Sequence, residues 1–374
     1  QNKTGLKLFG VGTQLLLQGS EAGIKLSGTV ADFESGGIQF TGSGVVADAQ
    51  AAYWSLSGQT LLDINLHHFV AEDVPVGVSL NSNNSGTMNG CMVTDFLLRR
   101  IIGIASGQGY GIHIAKLNAP SRRTLIARGE IVSAGRHSIY VARGGYVDVE
   151  SVRISRHRAD LSAEDISDGT NGRDRFRPAV VVARGSHVNL RNIEIDTCYD
   201  GALEIVADPE GAGALTEYVT VDGFIVTGVA NDVPPIKLGE TNPATTGSPN
   251  NVVIRGGRIV HARNIEAIRH YCGRNVRYEG IAIDIGPVTL SVTEHGEASA
   301  PPVVLLHGFP EHAGSWRYQL PALADAGFRA IAPDLRGFRA SDKPVGIQVS
   351  GYGSYTSYQY PGGANIKIIA APPK

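Results

Sequence analysis

The sequence predicts an all-β chain wound as a solenoid of short strands, and three observations carry that prediction. The first is internal repetition. Residues 139–154 (IYVARGGYVDVESVRI) lie over residues 180–195 (VVVARGSHVNLRNIEI) at an offset of 180 − 139 = 41, with Val141/Val182, Ala142/Ala183, Arg143/Arg184, Gly144/Gly185, Val147/Val188 and Ile154/Ile195 identical. Most other apolar positions exchange one aliphatic residue for another, as at Ile139/Val180, Val149/Leu190 and Val152/Ile193. The second is period: within each unit apolar residues fall at every second position, the rhythm of a strand and not of a helix. The third is composition, because 47 glycines and 7% aromatic residues suit many tight turns joined by small aliphatic strands.

The elements follow in order along the chain. Upstream, segments 23–26, 37–40, 77–80 and 111–114 each begin with a glycine and continue as an alternating strand. Strand-ending isoleucines then recur at Ile131, Ile154, Ile195, Ile225, Ile259 and Ile283. The shorter intervals set a coil of about two dozen residues, close to what three short strands and three turns require. The longer intervals are read as the same coil plus loops at 159–176, 207–214 and 240–250. A solenoid tolerates such loops because each coil touches only its neighbours.

Composition also excludes classes of function. The net charge of −2 carries no polyanion-binding signature, so no nucleic-acid partner is expected. No run of 18 apolar residues exists, so no membrane span is expected. Cys91, Cys198 and Cys272 are odd in number and far apart, which argues for buried thiols and against a disulfide framework. No signal-peptide pattern is visible at Gln1.

Segments 130–141, 194–205 and 258–270 resemble the right-handed parallel β-helix of the pectin-lyase-like superfamily. The stretch IDTCYDGALEI (195–205) is similar to the strand, Asp-Gly turn and strand unit common there. The resemblance covers residues 1–285 and is generic, since such motifs specify a coil and not a reaction. It implies relatives among pectin and alginate lyases, polygalacturonases, epimerases and phage tailspikes that degrade bacterial surface polysaccharides. Tyr352, Tyr355, Tyr358 and Tyr360, in a glycine-rich end, suit the tailspike group. For that group the resemblance implies a polysaccharide partner, a homotrimer and an extracellular or virion location. Residues 346–374 are expected to continue the β-helix.

From 286 to 345 the pattern changes. PPVVLLHGFPEHAGSWRYQLPALADAGFRAIAPDLRGFRASDKP reads as a buried strand, a Gly-Pro turn, an amphipathic helix and a second buried strand, with Trp316, Leu320, Leu323, Ala324 and Gly327 at helical spacing. This segment resembles the opening of an α/β-hydrolase of the epoxide hydrolase or haloalkane dehalogenase group. His307-Gly308-Phe309-Pro310 corresponds to that family's oxyanion-hole turn, and Asp334-Leu335-Arg336-Gly337 to the next loop, with Arg339 where a glycine is usual. The nucleophile elbow that would complete such a site does not follow, so no epoxide or ester hydrolysis is expected. Removing 286–345 joins 281–285 to 346–349 as one coil-like pattern, which marks the segment as foreign to the host domain; a natural loop insertion is the alternative.

A β-helix holds polymers along one of its sheets, where outward side chains of successive coils line up about 4.8 Å apart, roughly one sugar per coil. Hydrolysis there requires two carboxylates; elimination beside a uronate requires a base with charge-neutralising cations. Asp196, Asp200 and Glu204 form the richest outward acidic cluster and are the candidate catalytic residues. Glu204 is outward because Leu203 and Ile205 point in, and Asp200 lies in the intervening turn. Arg158, Arg173, Arg175 and Arg177, at the 159–177 loop, together with Tyr199, are the candidate substrate-binding residues, because arginine grips an acidic sugar bidentately. No cofactor and no metal are expected: the acids of the loop lack an oxygen-ligand spacing, and the histidines are scattered about one per coil. The expected function is a polysaccharide-binding and polysaccharide-degrading β-helix, glycosidase or lyase. The alternatives are a non-catalytic glycan-binding fibre or adhesin, and a secreted lyase or epimerase.

Overall fold

The offset of 41 found in the sequence is the hydrogen-bonded ladder itself. Ile139 pairs with Val180, Val141 with Val182 and Ala142 with Ala183 in one sheet; Val147 pairs with Val188, Val149 with Leu190 and Ile154 with Ile195 in another. The structure, a computed structural model, describes residues 3–18, 22–43, 51–82, 86–103, 108–115, 122–142, 145–158, 177–207, 216–229, 234–239, 248–260, 267–284, 290–308, 311–335, 338–339 and 341. Arg173, Arg175, the whole 159–176 loop and the whole 346–374 segment lie outside the described residues. Contacts divide the chain into two compact units, one of residues 1–262 and 267–284, the other of 263–266 and 285–374.

In the first unit, strands alternate between a long sheet of 14 strands and a second sheet of nine, and strand order within each follows the chain. Neighbouring strands run parallel, as in Gly145–Ser155 against Ser186–Asp196, or His137–Ala142 against Val180–Ala183. Side chains facing inward from both sheets form one continuous apolar core, from Leu26 and Phe40 through Ile112, Val149 and Ile195 to Ile254 and Ile259. The winding is that of a parallel β-solenoid. Its simplest coil runs from Asn250 to its partner Arg274, 274 − 250 = 24 residues.

Strict alternation does not survive in three dimensions. Val188 and Leu190 point inward, then Ile193 and Ile195, so the phase slips by one at Arg191-Asn192. The cause is a left-handed residue that the ladder skips: Asn192 has φ 51° and Gly223 φ 68°, while Arg191 pairs with Asp222 and Ile193 with Phe224. His68, Asp95, Arg128 and Ser151 occupy the same corner in earlier coils. A second left-handed column contains Tyr146, His187, Tyr218, Asn251 and Asn275, and a third Asp73, Arg100, Ser133, Arg156 and Thr197. Single left-handed residues turn the chain without a loop, at about 1–2 kcal/mol for each non-glycine. The slip also corrects one expected position. Ile225 is exposed and pairs with Glu194 and Arg258, whereas Val226 fills the inward column between Ile195 and Ile259.

Two core phenylalanines depend on glycine in the next coil. A Cβ on Gly129 would lie 2.2 Å from the Phe96 ring, and one on Gly257 2.1 Å from Phe224. Gly129→Ala is therefore expected to destabilise the protein by about 1–3 kcal/mol through overpacking. Urea unfolding of Gly129→Ala alone and with Phe96→Leu checks this, since the smaller partner should restore most of the loss.

In the second unit, strands Val292–His295, Arg329–Pro333 and Pro302–Val304 form a small mixed sheet, with Arg329–Pro333 central. A 3-10 turn at Ala313–Trp316 precedes the helix Gln319–Asp325. The helix is shorter than the spacing predicts: Trp316 precedes it, and Gly327 lies beyond its end with φ 83°. Leu320 packs with Ala313, Ala330 and Ala332.

Candidate functional site

Because Ile112, Ile139, Val180, Leu203 and Ile236 must face the core, the alternate residues of the nine-stranded sheet face outward. Register places Trp54, Ser79, His113, Tyr140, Val181, Glu204, Lys237 and Arg269 in one line across eight successive strands. The line is recessed: Val181 and Glu204 are buried, and His113, Tyr140 and Lys237 are half-buried.

Its first half is aromatic and imidazole. Ser79 Oγ lies 3.3 Å from His113 Nδ1. The His113 and Tyr140 rings stack with centroids 5.5 Å apart, and Tyr110 stacks on Tyr140 at 5.4 Å and 9°. Arg136 lies over the Tyr110 ring, its Cζ 5.1 Å from the centroid. Its Nε is buried with no hydrogen-bond partner among the described residues. Burial, helped by the Arg136 charge, pushes His113 down to about 4, so its imidazole is neutral at pH 7. The second half is charged: Lys237 Nζ donates to Glu204 Oε1 at 2.7 Å, and Arg269 Nη1 donates to Tyr271 Oη at 3.4 Å.

The residues chosen from sequence are not assembled as one open cluster. Glu204 is on the outward line but only 8% exposed and held by Lys237. Asp200, expected in an exposed turn, is 2% exposed and ion-paired with Arg158 at 2.8 Å. These burials correct the expectation of solvent-facing acids, and Arg158, expected to face substrate, is equally buried. Asp196 alone is partly exposed, at the end of strand Ser186–Asp196 in the other sheet, where its Oδ1 accepts hydrogen bonds from Thr227 Oγ1 at 2.7 Å and Thr197 Oγ1 at 3.1 Å. Tyr199 is half-buried and its backbone N–H donates to the His157 carbonyl. The Arg177 carbonyl accepts from His157 Nε2 at 2.8 Å.

His113, Tyr140, Arg136, Lys237 and Arg269 were not singled out from sequence. Unequal steps hide them, since Tyr140 follows His113 by 140 − 113 = 27 residues while Lys237 follows Glu204 by 33. Only counting outward positions coil by coil would have found the line. Burial also pushes the Cys198 thiol up to about 12, which makes it unreactive. Among the described residues, no group of three or more His, Cys, Asp or Glu is placed to hold a metal ion, and no helix is long and apolar enough to cross a membrane.

Fold and line together define the first unit as a parallel β-solenoid with a recessed polar track across its coils. The family described as "alpha/beta hydrolase fold" matches residues 301–360. Epoxide hydrolase A of Mycobacterium tuberculosis is 54% identical over 66 residues, 18% of this chain and 20% of that protein. AB hydrolase superfamily protein YfhM of Bacillus subtilis is 49% identical over 65 residues, 17% of this chain and 23% of that protein. The chain thus spans about a fifth of the length of these curated relatives. Among solved structures, the A-module of the mannuronan C-5 epimerase AlgE4 from Azotobacter vinelandii matches at 11% identity over 69% of this chain and 88% of that one, with a TM-score of 0.18.

Within the hydrolase-like segment, His307 and Asp334 are buried and engaged with backbone. The Leu335 N–H donates to His307 Nε2 at 2.9 Å, and the Ala313 N–H to Asp334 Oδ1 at 2.8 Å.

Proposed function

We propose that the protein is a right-handed parallel β-helix that binds an acidic polysaccharide along the recessed track and cleaves it by elimination. The observation that carries this reading is the stack of neutral His113 on Tyr140 on the track, with the Arg136 guanidinium at its edge over the Tyr110 ring that stacks on both. Arg136 neutralises a uronate carboxylate, which acidifies the adjacent C5–H. His113 takes that proton; the electron pair forms the C4=C5 bond as the C4–O bond breaks, and Tyr140 protonates the leaving oxygen. Lys237 and Arg269, three and four strands beyond Tyr140, hold a sugar further along the chain, at about 4.8 Å per strand. Elimination is favoured over hydrolysis because the track carries one carboxylate, Glu204, already paired with Lys237, where hydrolysis uses two.

The test is incubation with capsular, O-antigen and uronate polysaccharides. New ultraviolet absorbance from an unsaturated sugar is the expected result; new reducing ends without it mean hydrolysis, and neither means a binding fibre. Tyr140→Phe is expected to lower turnover about 10²–10⁴-fold with little change in binding. The acidic trio forms the second arm. Asp196→Asn abolishing cleavage while Tyr140→Phe retains it would assign the chemistry to Asp196 instead. A tailspike-like homotrimer in an extracellular or virion setting belongs to the same proposal, and sedimentation at three times the 39.5 kDa chain mass tests it. The second unit is proposed to be catalytically silent, because His307 and Asp334 spend their polar atoms on backbone. Hydrolysis of a small epoxide that depends on either residue would overturn that.

A further inference from the structure

The outer face of the long sheet carries a groove that the track does not use. It is about 390 Å³ in volume and is lined on one side by His187, Tyr218, Asn251 and Asn275, four members of the left-handed column that starts at Tyr146. The ladder skips these residues, which turns their side chains outward in single file. The first three stack as rings: Tyr146 on His187 at 4.6 Å and 3°, His187 on Tyr218 at 4.8 Å and 27°. The stack then stops. The next two rungs are short amides, with Asn275 Nδ2 donating to Asn251 Oδ1. Tyr218 is therefore the last ring of the column; it is 48% exposed and borders the cavity together with both asparagines.

The adjoining column supplies the other wall through Asn189, Thr220, Val253 and Arg277. Two cations mark its ends. Arg123 is fixed by Asp148 and by the carbonyls of Val147 and His187. The Arg277 side chain is 66% exposed, and its Nη1 forms a long ion pair with Glu279 Oε1 at 3.8 Å. Among the described residues, no carboxylate lines the groove. A ring that ends a stack, amides and a hydroxyl at its side, and an exposed arginine whose ion pair with Glu279 is long together suit a flat, hydroxyl-rich ligand bearing an anion.

We propose that this groove is a second saccharide site, which holds one acidic sugar with its ring face on Tyr218, in the place of the missing next ring, and its carboxylate on Arg277. Arg277 presents a planar guanidinium fork to the carboxylate, and the Asn251–Asn275 pair meets the sugar hydroxyls. The site serves attachment: it anchors polymer on a face separate from the nine-stranded sheet. The inference rests on the reading of the protein as one that handles an acidic glycan.

The experiment is calorimetric titration of the full chain with a tetra-uronate and with the same tetrasaccharide after its carboxylates are reduced to alcohols. Expected are two classes of site, with the groove class weakened about tenfold by Arg277→Gln, in line with the loss of one charged hydrogen bond, and about tenfold by Tyr218→Ala. Tyr218→Phe keeps the ring and is expected to retain affinity, which separates stacking from misfolding. The reduced tetrasaccharide should bind the parent as weakly as the tetra-uronate binds Arg277→Gln. Unchanged affinity in both Arg277→Gln and Tyr218→Ala overturns the site, as does failure of the parent to bind the tetra-uronate at all. Cleavage that depends on Tyr140 alongside unchanged binding in the groove variants would overturn the groove alone. Groove binding without any Tyr140-dependent cleavage would overturn the elimination reading alone.

Discussion

Asp200→Asn is expected to cost the fold about 3–5 kcal/mol, the penalty for leaving a buried ionic partner uncompensated. Arg158 and Asp200 lie 2.8 Å apart with side chains only 2% and 3% exposed. Both were drawn from water at a cost that their mutual attraction offsets, so removing one charge strands the other. The prediction reverses the sequence-based expectation, under which an exposed turn aspartate would tolerate the change. Replacing both partners by apolar residues, Arg158→Met with Asp200→Leu, should be much milder than either single change. Urea unfolding of the double-mutant cycle measures this. A loss below about 1 kcal/mol in Asp200→Asn would show that the pair contributes little, and would return Asp200 to consideration as a functional acid.

Acidification from pH 7 to pH 4 is expected to remove several kcal/mol of stability, beginning well above the carboxylate range. Three imidazoles are responsible. Burial depresses His113 to about 4 and His157 to about 3, and takes His137 well below its ordinary value of 6.5. In the folded chain these rings stay neutral: His157 Nε2 donates to the Arg177 carbonyl, and His137 Nδ1 lies 2.7 Å from the Pro178 carbonyl. The unfolded chain takes up protons from about pH 6.5 downward, while the folded one does not until about pH 4 for His113 and pH 3 for His157. The stabilisation is thus complete above pH 6.5, falls as pH drops toward those values, and changes no further below them. Carboxylates such as Asp95, held near 2 by Arg128, add their own loss only at lower pH. Melting temperatures of the parent and of His157→Gln across this range provide the check. The variant should show a shallower slope between pH 6.5 and 4, and an equal slope would exclude His157 as a source.

The sequence by itself determined the solenoid. Inward positions must be apolar in every coil, so Val141/Val182 and Ile154/Ile195 repeat visibly, and the register follows from the repeat. It also determined the break near residue 285, where strand period yields to the strand, helix and strand of Pro302–Val304, Gln319–Asp325 and Arg329–Pro333. Tertiary structure alone decided the corners and the site. A left-handed corner places little demand on residue type once its side chain stacks on the coil below, so Tyr146, His187 and Asn251 share one position with no common letter to read. Outward residues need not be apolar in every coil and so leave no repeat, and coils of unequal length scatter His113, Tyr140 and Lys237 along the chain although they stand on neighbouring or near-neighbouring strands. For Asp200 and Glu204, alternation could say which way a side chain points from its strand. Whether water or a cation waits there, here Arg158 and Lys237, is decided by residues distant in sequence.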